Sequence, residues 1–269
     1  MAKNHFRART AEQKEIYDHF RYLSDRYGRW QVWTDFVTMA ACSLNLVDRE
    51  QCSDEYLQVA KRYQQSELER FVRMFAVTTD AMERNLEQDF LGELFMALEL
   101  GNEWKGQFFT PYCICSMMAR ISAGDLQEQL KHKHWTHVQD PACGAGATLL
   151  AFANECKRQR LNYQTSVLFV AQDIDRIAAL MCFIQLSLVG CPGYVVIGDS
   201  LANPVVGGLL TPQKQPGQEI WYTPMFLSNV WQLRRRFAII DSVVSNANSH
   251  YIPTTEESEN KQMSLFTEE

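Results

Sequence analysis

Residues 140–146, DPACGAG, sit between a short run of alternating residues and the stretch ATLLAFANEC. The pattern reads as a strand, a tight turn with two glycines, and a helix. That unit commits the chain to an α/β sheet whose ligand lies at the carboxyl ends of the strands. The turn also excludes ligands. No Lys-Ser or Lys-Thr follows Gly146, so it is not a phosphate-binding P-loop. A dinucleotide turn needs a third glycine for close helix packing, and that position is Leu149. Asp140, at the strand end, repels a pyrophosphate and suits a ligand carrying an amine or hydroxyls.

Two more strands of the same kind follow. SVLFVAQDID (166–175) is a buried strand ending in acids, one helix after the first turn, as in a βαβ unit. Asp173 is placed to bond ribose hydroxyls, and Asp175 to cap the helix RIAALMCFIQLSLVG. YVVIGDSL (194–201) gives a third strand, ending in Asp199. Three acid-ended strands imply a nucleoside ligand without phosphate and with an amine. S-adenosylmethionine fits that description.

With these segments the chain resembles the N6-adenine DNA methyltransferases, most of all the modification subunits of type I restriction systems. GQFFTP (106–111) resembles the motif that precedes the first strand and packs beside the cofactor. DPACGAG resembles the loop around the methionine end, AQDID the ribose motif and GDSL the adenine-edge motif. The resemblance covers about residues 90–202. It implies a Rossmann-like S-adenosylmethionine-dependent methyltransferase sheet preceded by a small helical domain. It also implies a cofactor site lined by Phe108, Thr110, Pro111, Asp140, Ala142, Cys143, Gly144, Gly146, Asp173, Asp199, Ser200 and Leu201. For Phe108 and Cys143, plain core packing is an equal reading.

The organisation follows from these motifs. Residues 1–100 read as a helical domain, 101–250 as the α/β methyltransferase domain, and 251–269 as a disordered acidic tail. Thr10 and Gln13 form a capping-box pair ahead of a helix with Ile16, Phe20 and Leu23 on one face. Ser53 and Ser66 are expected as the caps of two later helices. PYCICSMMARIS opens a helix with Pro111 in its first turn. The proline- and glycine-rich stretch 202–226 is expected to be largely loop, and FAIIDSVVSN (237–246) a returning strand.

Other features bound the function. No apolar run reaches the length of a membrane span. The eight cysteines form no C-x-x-C pair and the histidines show no ligand spacing, so no metal is expected and free thiols suit a cytoplasmic location. The net charge of −6 opposes unaided DNA binding, which usually draws on basic residues. Basic runs such as KHKHW and RRR (234–236) read as solvated faces. Double-stranded DNA as substrate is therefore implied by the resemblance. So is a separate specificity subunit, since the chain has little room for target recognition.

The resembled enzymes use an Asn-Pro-Pro-aromatic loop after the fourth strand. Its oxygens accept the protons of the target amine, and its ring stacks on the extruded base. Here the best positional match is SVVSNANSHY, which lacks both prolines. Asn246 or Asn248 would accept the amine, with Tyr222 or Tyr251 stacking. The alternative is a methyltransferase-fold subunit that binds cofactor, DNA or a partner without methylating. Finally, QMSLF (262–266) resembles the bacterial sliding-clamp docking peptide. Gln262, Leu265 and Phe266 would be its anchors, on a mobile polar tether.

Overall fold

The computed structural model describes residues 8–100 and 109–249. Five helices come first: α1 (Ala11–Tyr27), α2 (Arg29–Leu44), α3 (Arg49–Ala60), α4 (Gln65–Arg84) and α5 (Phe90–Ala97). In α1 the helical spacing buries Ile16, Phe20 and Leu23 together. Thr10 Oγ1 accepts the Gln13 N–H at 3.2 Å, but the Gln13 side chain reaches back to the Arg9 N–H at 2.9 Å, one residue before the cap. The serine caps move. Helix α3 starts after Asp48, and Ser53 lies inside it, its hydroxyl donating to Arg49 O at 2.7 Å. Helix α4 starts after Gln64, whose N–H is accepted by Glu67 at 2.8 Å. Tyr27 OH also donates to the Glu67 carboxylate at 2.8 Å, so a tertiary contact fixes this terminus in place of Ser66.

The sheet is built from β1 (Thr136–Asp140), β2 (Val167–Asp173), β3 (Gly193–Ile197) and a later strand, β6 (Glu219–Tyr222), in the order β1-β2-β3-β6. The first three are parallel; β6 runs antiparallel to β3. Between them, α6 (Tyr112–Ala123) and α7 (Leu126–His132) precede β1. Helices α8 (Ala147–Arg158) and α9 (Tyr163–Ser166) join β1 to β2, and α10 (Arg176–Leu188) joins β2 to β3. A small hairpin, β4 (Val206–Gly208) and β5 (Thr211–Gln213), follows β3.

Both faces of the sheet are covered, as a parallel sheet requires. Successive side chains of β2 alternate between two cores. Val167, Phe169 and Ala171 join a core with α8, α10 and the N-terminal helices, while Leu168 and Val170 join a second with Tyr194, Phe226 and Trp231. Helix α10 is buried almost all round, packed between the sheet and α2, α4 and α5. The N-terminal helices therefore share one contiguous core with the sheet.

The C-terminal expectation is corrected. Residues 237–246 are not a returning strand but part of α11 (Asn229–Ser249). The position beside β3 is taken by Glu219–Tyr222, from the stretch expected to be loop. Trp231 then anchors α11, buried in the second core with Nε1 donating to Gln164 O at 2.8 Å, and Arg234 donates to Thr165 O at 2.6 Å. These contacts outweigh the β-branched residues downstream.

Candidate active site

The glycine loop links β1 to α8. Asp140 Oδ1 accepts the Ala142 N–H at 3.1 Å and starts the turn. The Cys143 N–H donates to Gln172 O at 3.0 Å, tying the loop to β2. Gly144 (φ +53°) and Gly146 (φ +96°) take left-handed conformations that side chains disfavour. Their surroundings differ. A Cβ at Gly144 would stand 2.9 Å from the Phe109 ring, whereas one at Gly146 would stand 2.8 Å from Cys182 Sγ. Gly144 thus admits an aromatic wall, and Gly146 admits the buried helix α10. Among the described residues no side chain caps α8, and its first-turn N–H groups have no intrahelical partners.

Asp173 is half-buried at the end of β2. Its Oδ2 accepts the Gly144 N–H at 2.7 Å and its Oδ1 the Asp175 N–H at 2.9 Å, which leaves one lone pair on each oxygen. Burial pushes its pKa up, and the two N–H bonds offset part of that. Asp175 caps α10, accepting from Ile177 and Ala178 N–H at 2.9 and 3.1 Å. Asp199 folds the turn after β3 by accepting the Leu201 and Ala202 N–H groups at 2.8 and 3.0 Å, bonds that hold its carboxyl below the ordinary value. That turn leaves Ser200 half-buried and Leu201 94% exposed. Buried Gln172 holds the turn to β2, donating to Gly198 O and Asn203 O at 3.2 and 3.0 Å.

A cavity of about 240 Å³ lies among these elements, lined by Thr110, Ala142, Cys143, Gly144 and Asp173 of the expected residues. It also takes in Asp89, Phe109 and Thr148, which the sequence reading did not single out. Asp89, Phe109 and Thr110 border a wider cavity of about 1200 Å³ as well, where Pro111 lies. Gly146 sits behind the loop against Cys182, and Cys143 is buried with its thiol pushed well up, first by the neighbouring Cys182 thiol and then by burial. Asp89 caps α5, with Oδ1 accepting the Gly92 N–H at 3.0 Å and Gln185 Nε2 at 2.7 Å. Gln185 Nε2 also donates to Ala145 O at 2.8 Å, which ties Asp89 to the glycine loop. Burial pushes the Asp89 carboxyl up to about 6. Its one sequence signal was an acid directly before the apolar run FLGELF.

The catalytic candidates are placed differently. Tyr222 pairs with Tyr194 at the amino end of β3 and its ring stacks on Phe226, with centroids 5.7 Å apart. It lies away from the carboxyl ends where Asp140 and Asp173 stand, which removes it as the base-stacking ring. Asn246 and Asn248 belong to the end of α11 rather than to a loop after a strand; their side chains lie outside the described structure. Phe108, Tyr251, Gln262, Leu265 and Phe266 lie outside the described residues.

Residues 91–262 match the family model described as N-6 DNA Methylase. The chain belongs to the N-6 DNA methylase family. No curated protein matches this chain. Among solved structures it is similar to one described as a class I S-adenosylmethionine-dependent methyltransferase from Listeria monocytogenes, at 16% identity and a TM-score of 0.42. The match covers 74% of this chain and 57% of that one, so the chain spans little more than half that structure's length.

Family membership makes S-adenosylmethionine the cofactor, and the residues fit it. The glycine loop leaves backbone beside a cavity, uncapped N–H groups stand ready for a carboxylate, and Asp173 keeps lone pairs for hydroxyls. The charged side chains among the described residues lining the cavity, Asp89 and Asp173, both repel a phosphate.

Proposed function

We propose that this chain binds S-adenosylmethionine at the carboxyl ends of β1–β3 and methylates the N6 amine of adenine in double-stranded DNA, as the modification subunit of a complex whose specificity subunit selects the target. The observation that carries the reading is the cavity formed by Gly144, Phe109, Thr110 and Asp173 inside the region matched by the family. Bound there, the cofactor supplies an electrophilic methyl group. The chain's residues bind and orient. Asp173 accepts from the ribose hydroxyls, the first turn of α8 receives the amino-acid carboxylate, and Ile174 and Leu201, exposed on the turns after β2 and β3, border the adenine. Phe109, packed on Gly144 and on Phe95 at a centroid distance of 5.3 Å, excludes water from the enclosed side. Asn246 or Asn248 accepts the protons of the target amine and Tyr251 stacks on the extruded base.

Titration calorimetry with S-adenosylhomocysteine tests the cofactor site. Asp173→Ala is expected to weaken binding by about 1–3 kcal/mol through a lost ribose hydrogen bond. Transfer of tritiated methyl to DNA, with and without a specificity subunit, tests the reaction. An unchanged rate in Asn246→Ala would reject that residue's role.

A second reading is favoured by one observation: residues 237–249 continue a helix instead of forming a strand and loop. In it the chain binds cofactor and DNA, and another polypeptide supplies the group that accepts the amine. It predicts S-adenosylhomocysteine binding with no methyl transfer by the chain alone, and transfer restored by the partner. QMSLF remains a proposed docking peptide for the sliding clamp. Fluorescence anisotropy of a labelled 255–269 peptide decides it; equal signals for the native and the Leu265→Ala, Phe266→Ala peptides would end the idea.

A further inference from the structure

The smaller cavity is lined by a carboxylate that, among the described residues, has donors on one oxygen only. Asp89 is 2% exposed, yet it lines both the 240 Å³ cavity and the wider one beside it. Its Oδ1 takes two donors, Gln185 Nε2 and the Gly92 N–H. No donor among the described residues reaches Oδ2. Room for that oxygen is provided by Gly92, since a Cβ there would overlap it. Among the described residues the cavity lining carries no positive side chain: with Asp89 stand Phe109, Thr110, Cys143, Thr148 and Asp173. Arg9 borders only the wider cavity and pairs with Glu93 at 3.3 Å.

A buried carboxylate without a counter-charge is unfavourable, and a cation beside it offsets the loss. The described residues offer none within this cavity, and a cation brought by the ligand supplies it. We propose that Asp89 binds the α-ammonium group of the cofactor's amino-acid end through Oδ2. The proposal rests on the cofactor reading given above. It deepens that reading by dividing the ligand: Asp173 holds the ribose and Asp89 the amine, with Gln185 setting the distance between Asp89 and the glycine loop through its second bond to Ala145 O. The raised carboxyl value of about 6 is what burial does to this group when no cation stands beside it.

The test compares two ligands and three proteins by calorimetry at pH 7.5. S-adenosylhomocysteine carries the amino-acid end; 5′-methylthioadenosine lacks it. Asp89→Asn keeps an oxygen for Gly92 and Gln185 but removes the charge, and Asp89→Ser, which also retains a capping oxygen, serves if the first variant does not fold. Both variants are expected to bind S-adenosylhomocysteine at least tenfold more weakly and methylthioadenosine within twofold of the native chain. Equal losses for the two ligands, or no loss for either, would overturn the proposal by assigning Asp89 a structural role only. Failure of the native chain to bind S-adenosylhomocysteine overturns the cofactor reading itself, and the proposal with it.

Discussion

Asp89→Asn without ligand isolates the cost of burying this carboxylate. Its carboxyl moves from an ordinary 3.8 to about 6 on folding, through desolvation that its two hydrogen bonds only partly offset. A shift of about two units corresponds to roughly 3 kcal/mol. The folded chain binds this proton more tightly than the unfolded chain, so the group's contribution to stability falls as pH rises from about 4 through about 6. Most of the change, on the order of 2 kcal/mol, lies between pH 4.5 and 7.5. Asparagine keeps the acceptor for the Gly92 N–H and Gln185 Nε2 but does not titrate. Any fixed packing cost of the new amide is the same at both pH values and cancels. Urea unfolding of both proteins at pH 4.5 and 7.5 therefore reads the difference directly. The variant is expected to gain about 2 kcal/mol relative to the native chain on going to the higher pH. A stability difference independent of pH would refute the argument, because it would mean that Asp89 is solvated or already neutralised in the folded chain.

Three further outcomes follow from local geometry. Gly146→Ala places a side chain at φ +96° and 2.8 Å from Cys182 Sγ; thermal unfolding is expected to show a loss of about 1–3 kcal/mol, and an unchanged midpoint would contradict the close approach of α10. Asp175→Ala removes two capping bonds from α10 and is expected to cost about 1 kcal/mol by denaturant unfolding, with no cost if water caps the helix equally well. Trp231→Ala empties the centre of the second core and is expected to cost about 3–5 kcal/mol; a loss below about 1 kcal/mol would mean that α11 does not dock there.

Local chemistry made one part of this chain legible from its residues alone. The glycine turn at Gly144 and Gly146, the capping role of Asp175 and the acids following three parallel strands were all legible, because each depends on residues within a few positions of one another. The amphipathic face of α1 was legible for the same reason. The other part depends on competition between distant segments. Residues 237–246 have strand-like composition, but Glu219–Tyr222 occupies the edge of β3 and Trp231 fixes a helix against the second core. Glu67, bonded by Tyr27, outbid Ser66 for the start of α4. Asp89 and Gln185 are separated by 96 residues, and their meeting beneath the glycine loop appears in no local pattern. Backbone turns and caps are settled over a few residues by sterics and hydrogen bonds, whereas the burial of a charge and the choice of a sheet neighbour are settled by what the rest of the chain leaves open.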